Sequence, residues 1–157
     1  MPLTVRTFLP GDAEAFRRLN EEWIERHFRL EEKDRETLRN PQKIIEAGGQ
    51  IVMAYLDEEP VGCCALLRMS PDSFEVAKMA VTLRYQGRGF GRAVLAATIE
   101  QARTLCAKRL YLETNSSLTP AITLYKSLGF HEISPERLAP SPYARADVFL
   151  EMFLEPL

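Results

Sequence analysis

A strand that runs into a glycine-rich turn and leaves it as a helix is the feature that most constrains how this chain can fold. The stretch Met79-Ala80-Val81-Thr82-Leu83-Arg84-Tyr85-Gln86-Gly87-Arg88-Gly89-Phe90-Gly91-Arg92 has that form. The first amides of a helix have no partner inside it and carry the positive end of its dipole. Glycines at such a point let an anion approach the backbone with no Cβ in the way. Arg84, Arg88 and Arg92 recur every fourth residue and are placed to add positive charge around the same point. The turn therefore reads as an anion cradle, with a plain loop-to-helix junction as the bland alternative.

Two common nucleotide motifs fail here at named residues. A P-loop needs Lys followed by Ser or Thr after its last glycine, and Gly91 is followed by Arg92-Ala93. A dinucleotide fingerprint needs Gly or Ala at the position that Val94 occupies.

The rest of the chain supplies a sheet around that turn. Leu3–Thr7 reads as a strand, and Asp12, after Pro10-Gly11, stands where a helix N-cap belongs. Ala15, Phe16, Leu19, Trp23 and Ile24 then recur at helical spacing to about His27, and a shorter helix within 35–47 is broken near Pro41. Ile51–Leu56, Val61–Met69 and Phe74–Val81 form three successive strands joined by turns at Asp57-Glu58-Glu59-Pro60 and Pro71-Asp72. The period then changes to a helix over Gly89–Ala107, a strand at Arg109–Glu113, a helix over Leu118–Ser127 closed by Gly129, and strands from Phe130 and over Asp147–Leu154. An antiparallel meander followed by one β-α-β crossover predicts an α/β fold, a mixed, mostly antiparallel sheet with helices on both faces.

Bulk properties narrow the function classes. The 157 residues suit one domain, 46% hydrophobic and 27% charged, which is ordinary globular usage. A net charge of −2 argues against nucleic acid as a general partner. No apolar run is long enough to span a bilayer, and Met1–Leu9 has no signal-peptide character, so no membrane partner is expected. Cys63, Cys64 and Cys106 are an odd set and read as core thiols of a cytoplasmic protein. Neither His27, read as a surface residue, nor His131, read as structural, completes a metal quartet with them, and no metal is expected.

Gln86-x-x-Gly89-x-Gly91 resembles the acyl-coenzyme A motif of the GNAT N-acetyltransferase superfamily. Leu112-Glu113-Thr114-Asn115 and the segment Ala121-Ile122-Thr123-Leu124-Tyr125-Lys126-Ser127-Leu128-Gly129-Phe130 resemble that family's downstream motifs, in the same order. The resemblance implies the GNAT fold over 1–157 and acetyl-coenzyme A as co-substrate. It implies that the amides of Gly87, Arg88, Gly89, Phe90, Gly91 and Arg92 hold the pyrophosphate, with Gln86 opening the motif. It also implies that Met79, Ala80 and Val81 pair with the pantetheine arm, that Asn115 helps position it, and that Tyr125 lies near the sulfur. A homodimer is compatible with the resemblance.

Acetyl transfer to an amine needs a neutral amine, a donor for the oxyanion and a proton for the leaving thiolate. Neutralising an amine of pKa near 10.4 at neutral pH costs about 4.6 kcal/mol, so a base is valuable. Tyr125 is the candidate acid, and a phenol stays protonated at neutral pH. Glu75 is the candidate base, eleven residues before Gln86, where lysine-acetylating relatives carry a basic glutamate. Strand alternation offers the competing reading that Glu75 faces solvent, with an ordered water as base.

Tyr143, Arg145 and Asp147 fall in the last loop, where relatives bind acceptor or dimerise. Seven acidic and four basic residues over 21–36 favour a cationic small-molecule or protein amine, against the plainer reading of a solvated helix face. Two rival functions stay open: a non-catalytic acyl-coenzyme A sensor on the same fold, and a module whose arginines contact an acidic partner.

Overall fold

The computed structural model describes residues 2–138 and 140–155. The elements run β1 (Leu3–Thr7), α1 (Ala13–His27), α2 (Glu32–Arg39), α3 (Gln42–Glu46), β2 (Gln50–Leu56), β3 (Glu59–Ser70), β4 (Ser73–Val81), α4 (Phe90–Thr104), β5 (Arg109–Thr114), α5 (Thr119–Ser127), β6 (His131–Glu132) and β7 (Val148–Phe153). The sheet order is β1-β2-β3-β4-β5-β7-β6, parallel only between β4 and β5. That pair is joined through α4, since parallel neighbours need a crossover rather than a hairpin. The last strand, β7, inserts between β5 and β6, an order that element succession along the chain does not reveal.

Alternation along the buried strands divides the core into two faces. Ile51, Met53, Cys63 and Ala65 pack with Phe16, Leu19, Leu38 and Ile44 under α1 to α3. Val52, Ala54, Cys64 and Leu66 pack with Val94, Leu95, Ile99 and Ala102 of α4 on the other side. The adjacent cysteines Cys63 and Cys64 thus belong to opposite faces, both wholly buried. Each large apolar side chain buried in this way contributes about 1.5–3 kcal/mol.

Three local expectations need correction. Asp12 precedes α1 but caps none of its amides. Its buried carboxylate instead accepts from the Leu9 amide, from Arg6 at 2.8 and 3.1 Å and from the Tyr55 hydroxyl. The long helix stops at Thr104 rather than Ala107, because Cys106 takes a left-handed φ of 62° and the Ala107 amide bonds back to the Ala102 carbonyl. That terminal turn turns Cys106 outward, so it is exposed rather than a core thiol. Among the described residues no helix is long and apolar enough to cross a membrane.

The feature that makes a site is a fault in the sheet. Cys63 pairs with Ala80 and Ala65 with Ala77, so Cys64 alone faces both Lys78 and Met79. Lys78 carries the extra residue with a φ of 54°. A bulge of this kind bends and twists its strand. On its other side β4 pairs with β5 only at Ser73, Phe74 and Glu75, and beyond that row no pairing between the two strands remains. The opening between them runs from Glu75 to the glycine-rich turn.

Candidate active site

The opening holds two connected cavities that share Trp23, Met79, Leu118 and Tyr125. The outer groove, 550 Å³, is lined by Met79, Ala80 and Val81 of β4, by Gln86, Gly87, Gly89, Phe90 and Gly91 of the turn, and by α5. The inner pocket, 90 Å³, reaches Glu75, Lys78, Glu113, Asn115, Tyr143 and Arg145.

The turn has the geometry that an anion requires. Gly87 and Gly89 both have φ of 81°, and a Cβ built on either meets nothing within 4 Å, so the space in front of the backbone is open. A side chain there would be strained and would fill that space. The first amide to bond back into the helix is that of Ala93, to the Gly89 carbonyl. No side chain caps α4, and among the described residues the amides from Gly87 to Arg92 make no backbone hydrogen bond. This is a cradle of free donors at the positive end of a fifteen-residue helix, and it fits a diphosphate.

The arginines play a smaller part than their spacing suggests. Arg84 turns to Glu59 at 3.6 Å, Arg88 stacks 5.3 Å from the Tyr85 ring, and Arg92 donates to the Ser127 hydroxyl at 2.8 Å. Gln86 donates to the Val81 carbonyl at 3.2 Å and so ties the turn to the end of β4.

Tyr125, on α5, packs edge-on to Phe130 at 6.1 Å and lines both cavities. Burial, with the nearby Cys64 thiol, pushes its pKa well above the usual phenol value. It therefore stays protonated at neutral pH and keeps its hydroxyl hydrogen. Glu75 is half-buried and lines the inner pocket rather than an open face of the sheet, and among the described residues its carboxylate makes no hydrogen bond. Loss of solvent, reinforced by Glu113, raises its carboxyl to about 7, against weaker opposing pulls from Lys78 and Lys33. A carboxylate that titrates near neutrality and lines a cleft is suited to general base work.

Asn115 lines the inner pocket, but its side chain is engaged: the amide nitrogen donates to the Arg145 carbonyl at 2.7 Å and the oxygen accepts from the Ser117 amide. Tyr143 and Arg145 line the pocket, whereas Asp147 accepts from the Ser116 amide and hydroxyl and fixes the end of β5. His131 is exposed on β6, and His27 sits at the rim of the outer groove, 4.8 Å from Trp23. Among the described residues no group of metal-ligating side chains occurs.

Sequence reasoning passed over Lys78, Asp34 and Glu113. Asp34, wholly buried on α2, accepts from Lys78 at 2.5 Å and from both Arg145 guanidinium nitrogens at 2.8 and 2.7 Å. These donors hold its pKa down to about 2 despite burial. Glu113 accepts from Tyr111 at 2.8 Å and from Ser141 at 2.5 Å. The available signal was polarity in the wrong place, a Lys inside β4 and a Glu following Leu110 and Leu112 in β5. The acidic run at 21–36 is meanwhile partly engaged within the chain, with Glu31 on Arg145 and Glu22 on the Thr82 hydroxyl and Leu83 amide.

The family model described as Acetyltransferase (GNAT) family matches residues 14–130. The chain belongs to the GNAT family. Among curated GNAT relatives, the uncharacterized N-acetyltransferase YvbK of Bacillus subtilis is 30% identical over 82 residues, 52% of this chain and 53% of that protein. YjgM of Escherichia coli, likewise an uncharacterized N-acetyltransferase, is 38% identical over 90 residues, 57% of this chain and 50% of that one. The ribosomal protein bS18-alanine N-acetyltransferase of Salmonella typhimurium is 32% identical over 80 residues, 51% and 54% of the two chains. This GNAT chain spans about half the length of these relatives. Two solved structures share its fold: a GNAT acetyltransferase of Staphylococcus aureus, TM-score 0.87 at 20% identity over 98% of this chain and all of that one, and YncA of Salmonella typhimurium, solved with its cofactor acetyl-CoA, TM-score 0.78 at 19% identity over 98% and 94%. The chain thus has the α/β fold expected of a member of this family, and acetyl-CoA or coenzyme A binding is typical of GNAT homologues.

Proposed function

We propose that this chain, as one catalytic domain, moves an acetyl group from acetyl-coenzyme A directly to a primary amine while both substrates are bound. The observation that carries this reading is the position of Glu75, a carboxylate without a hydrogen-bond partner among the described residues, titrating near 7, in a pocket that shares Met79 and Tyr125 with the outer groove. Acetyl-coenzyme A supplies an activated acyl group on sulfur and a thiol as leaving group.

The amides of Gly87 to Arg92 bind the pyrophosphate, Met79, Ala80 and Val81 bind the pantetheine arm, and Asn115 positions it indirectly by holding the Arg145 segment. Glu75 takes a proton from the acceptor ammonium. The freed amine attacks the thioester carbon, a C–N bond forms and the C–S bond breaks. Tyr125 gives its hydroxyl proton to the departing sulfur, the second proton of the acetylated nitrogen restores the Tyr125 phenol, and the proton held on Glu75 leaves to water.

The cysteines support direct transfer over a covalent acyl-enzyme. Cys63 and Cys64 are fully buried, with burial raising both thiols, that of Cys64 to about 12, and neither lines the outer groove or the inner pocket. The thiolate is the nucleophilic form, so both are inert at neutral pH. A cytoplasmic location is part of the same proposal.

Mixing the protein with acetyl-coenzyme A alone, then with a panel of amines, tests this reading. Free thiol appears only when an amine is present, and intact-mass measurement finds no acetylated protein. A burst of thiol without acceptor, matched by a protein mass gain of one acetyl group, refutes direct transfer.

A further inference from the structure

We infer that Asp34 is a positioning residue that commits both cations of the inner pocket to itself, so that Glu75 and Glu113 select an acceptor carrying a second positive charge beyond the reacting amine. The inference rests on the proposed direct transfer and names the substrate class of that site.

Four charged side chains line the pocket, Glu75, Glu113, Lys78 and Arg145, which by themselves would cancel. They do not cancel, because the two cations are already paired. Lys78 and Arg145 both donate to Asp34, which has no exposure, and Arg145 also meets Glu31 at 3.2 Å. Lys78 is held further by the Tyr143 hydroxyl at 2.9 Å. Among the described residues the Glu113 carboxylate, in contrast, is hydrogen-bonded only by the neutral hydroxyls of Tyr111 and Ser141, and the Glu75 carboxylate by nothing. With Glu31 and Asp34 included, four carboxylates face the two lining cations, while Lys33 of α2 lies outside the lining beside Glu36 at 3.9 Å, and the charge left uncompensated within the pocket is that of Glu75 and Glu113.

The register explains why both carboxylates serve one ligand. Glu75 pairs with Tyr111 across the parallel β4–β5 ladder, so Tyr111 and Glu113, two residues on, share its face. The groups facing Glu75 are Glu113 and Tyr111 from β5, Lys78 from its own strand, Lys33 from α2 and Tyr143 from the last loop. An ammonium delivered to Glu75 loses its proton there, whereas a second cation nearer Glu113 keeps its charge and gains a partner. The buried carboxylate of α2 thus sets the charge preference without touching the acceptor.

Three acceptors matched in length separate the possibilities: a five-carbon diamine, the corresponding monoamine, and the corresponding ω-amino acid. With the wild-type protein, kcat/KM falls in that order, by about tenfold or more at each step through KM. Glu113→Gln raises KM for the diamine more than for the monoamine, so the advantage of the diamine shrinks, and the acetyl-coenzyme A affinity stays near its original value. Asp34→Asn releases Lys78 and Arg145 toward Glu75, raises KM for the diamine and lowers it for the ω-amino acid. It also moves the acidic limb of the pH profile to lower pH, a change that loosened packing alone does not produce. Should Asp34→Asn fail to fold, the Glu113→Gln comparison decides alone. A wild-type protein that acetylates the ω-amino acid as well as the diamine, or a Glu113→Gln variant with undiminished preference, overturns the inference while direct transfer stands. Thiol release with none of the three overturns direct transfer to small amines and this inference with it.

Discussion

Replacing Glu75 by Gln separates the titration of one carboxyl from everything else in the molecule. In the folded protein that group titrates at about 7, against 4.5 for the unshifted carboxyl. The folded state therefore binds the proton more tightly than the unfolded chain. Below the lower value both states are protonated and Glu75 costs nothing. Between the two values the unfolded chain releases its proton first, so stability falls as pH rises, and above about 7 the full penalty is present. At 1.36 kcal/mol per pH unit the separation amounts to about 3 kcal/mol.

Glutamine does not titrate, so Glu75→Gln gains stability relative to wild type by about 3 kcal/mol between about pH 4 and about pH 8. Urea unfolding of both proteins at several pH values measures this directly, and comparing slopes cancels any pH-independent packing change. The activity moves in the opposite sense. Wild-type kcat/KM rises with pH to about 7 and then levels, and the variant loses both that limb and about two to three orders of magnitude in rate. A stability difference that is flat across the range, or a variant that keeps the limb, refutes Glu75 as the buried base.

Gly89→Val places a side chain in the open space before the helix at a left-handed φ. It lowers coenzyme A affinity by about a hundredfold in calorimetry, with a stability loss of only about 1–2 kcal/mol; unchanged affinity removes the cradle from the binding site. Tyr125→Phe keeps the ring against Phe130 and deletes the donor, so kcat falls about a hundredfold while KM for acetyl-coenzyme A stays near its original value. Leu95→Ala, in the wholly buried stripe of α4, costs about 2–5 kcal/mol by chemical denaturation without changing acceptor preference.

Local chemistry was legible in the sequence wherever a short pattern dictates its own geometry. The alternation of β2 to β4, the helical stripe of α4 and the glycines at 87 and 89 each specify their backbone with little help from distant residues. The resemblance to the GNAT family, carried by Gln86-x-x-Gly89-x-Gly91 and the segment around Tyr125, implied the coenzyme A role of the turn and of Tyr125, which periodicity alone did not. Tertiary structure alone decided the rest. The insertion of β7 between β5 and β6 depends on which sheet edge is free, and the bulge at Lys78 on how β3 and β4 share a register. The joining of Asp34 to Lys78 and Arg145 spans 44 and 111 residues along the chain. Periodicity reports which face of an element is apolar. Only the folded arrangement reports which charges meet, and in this protein Lys78 and Arg145 meet Asp34 rather than Glu75.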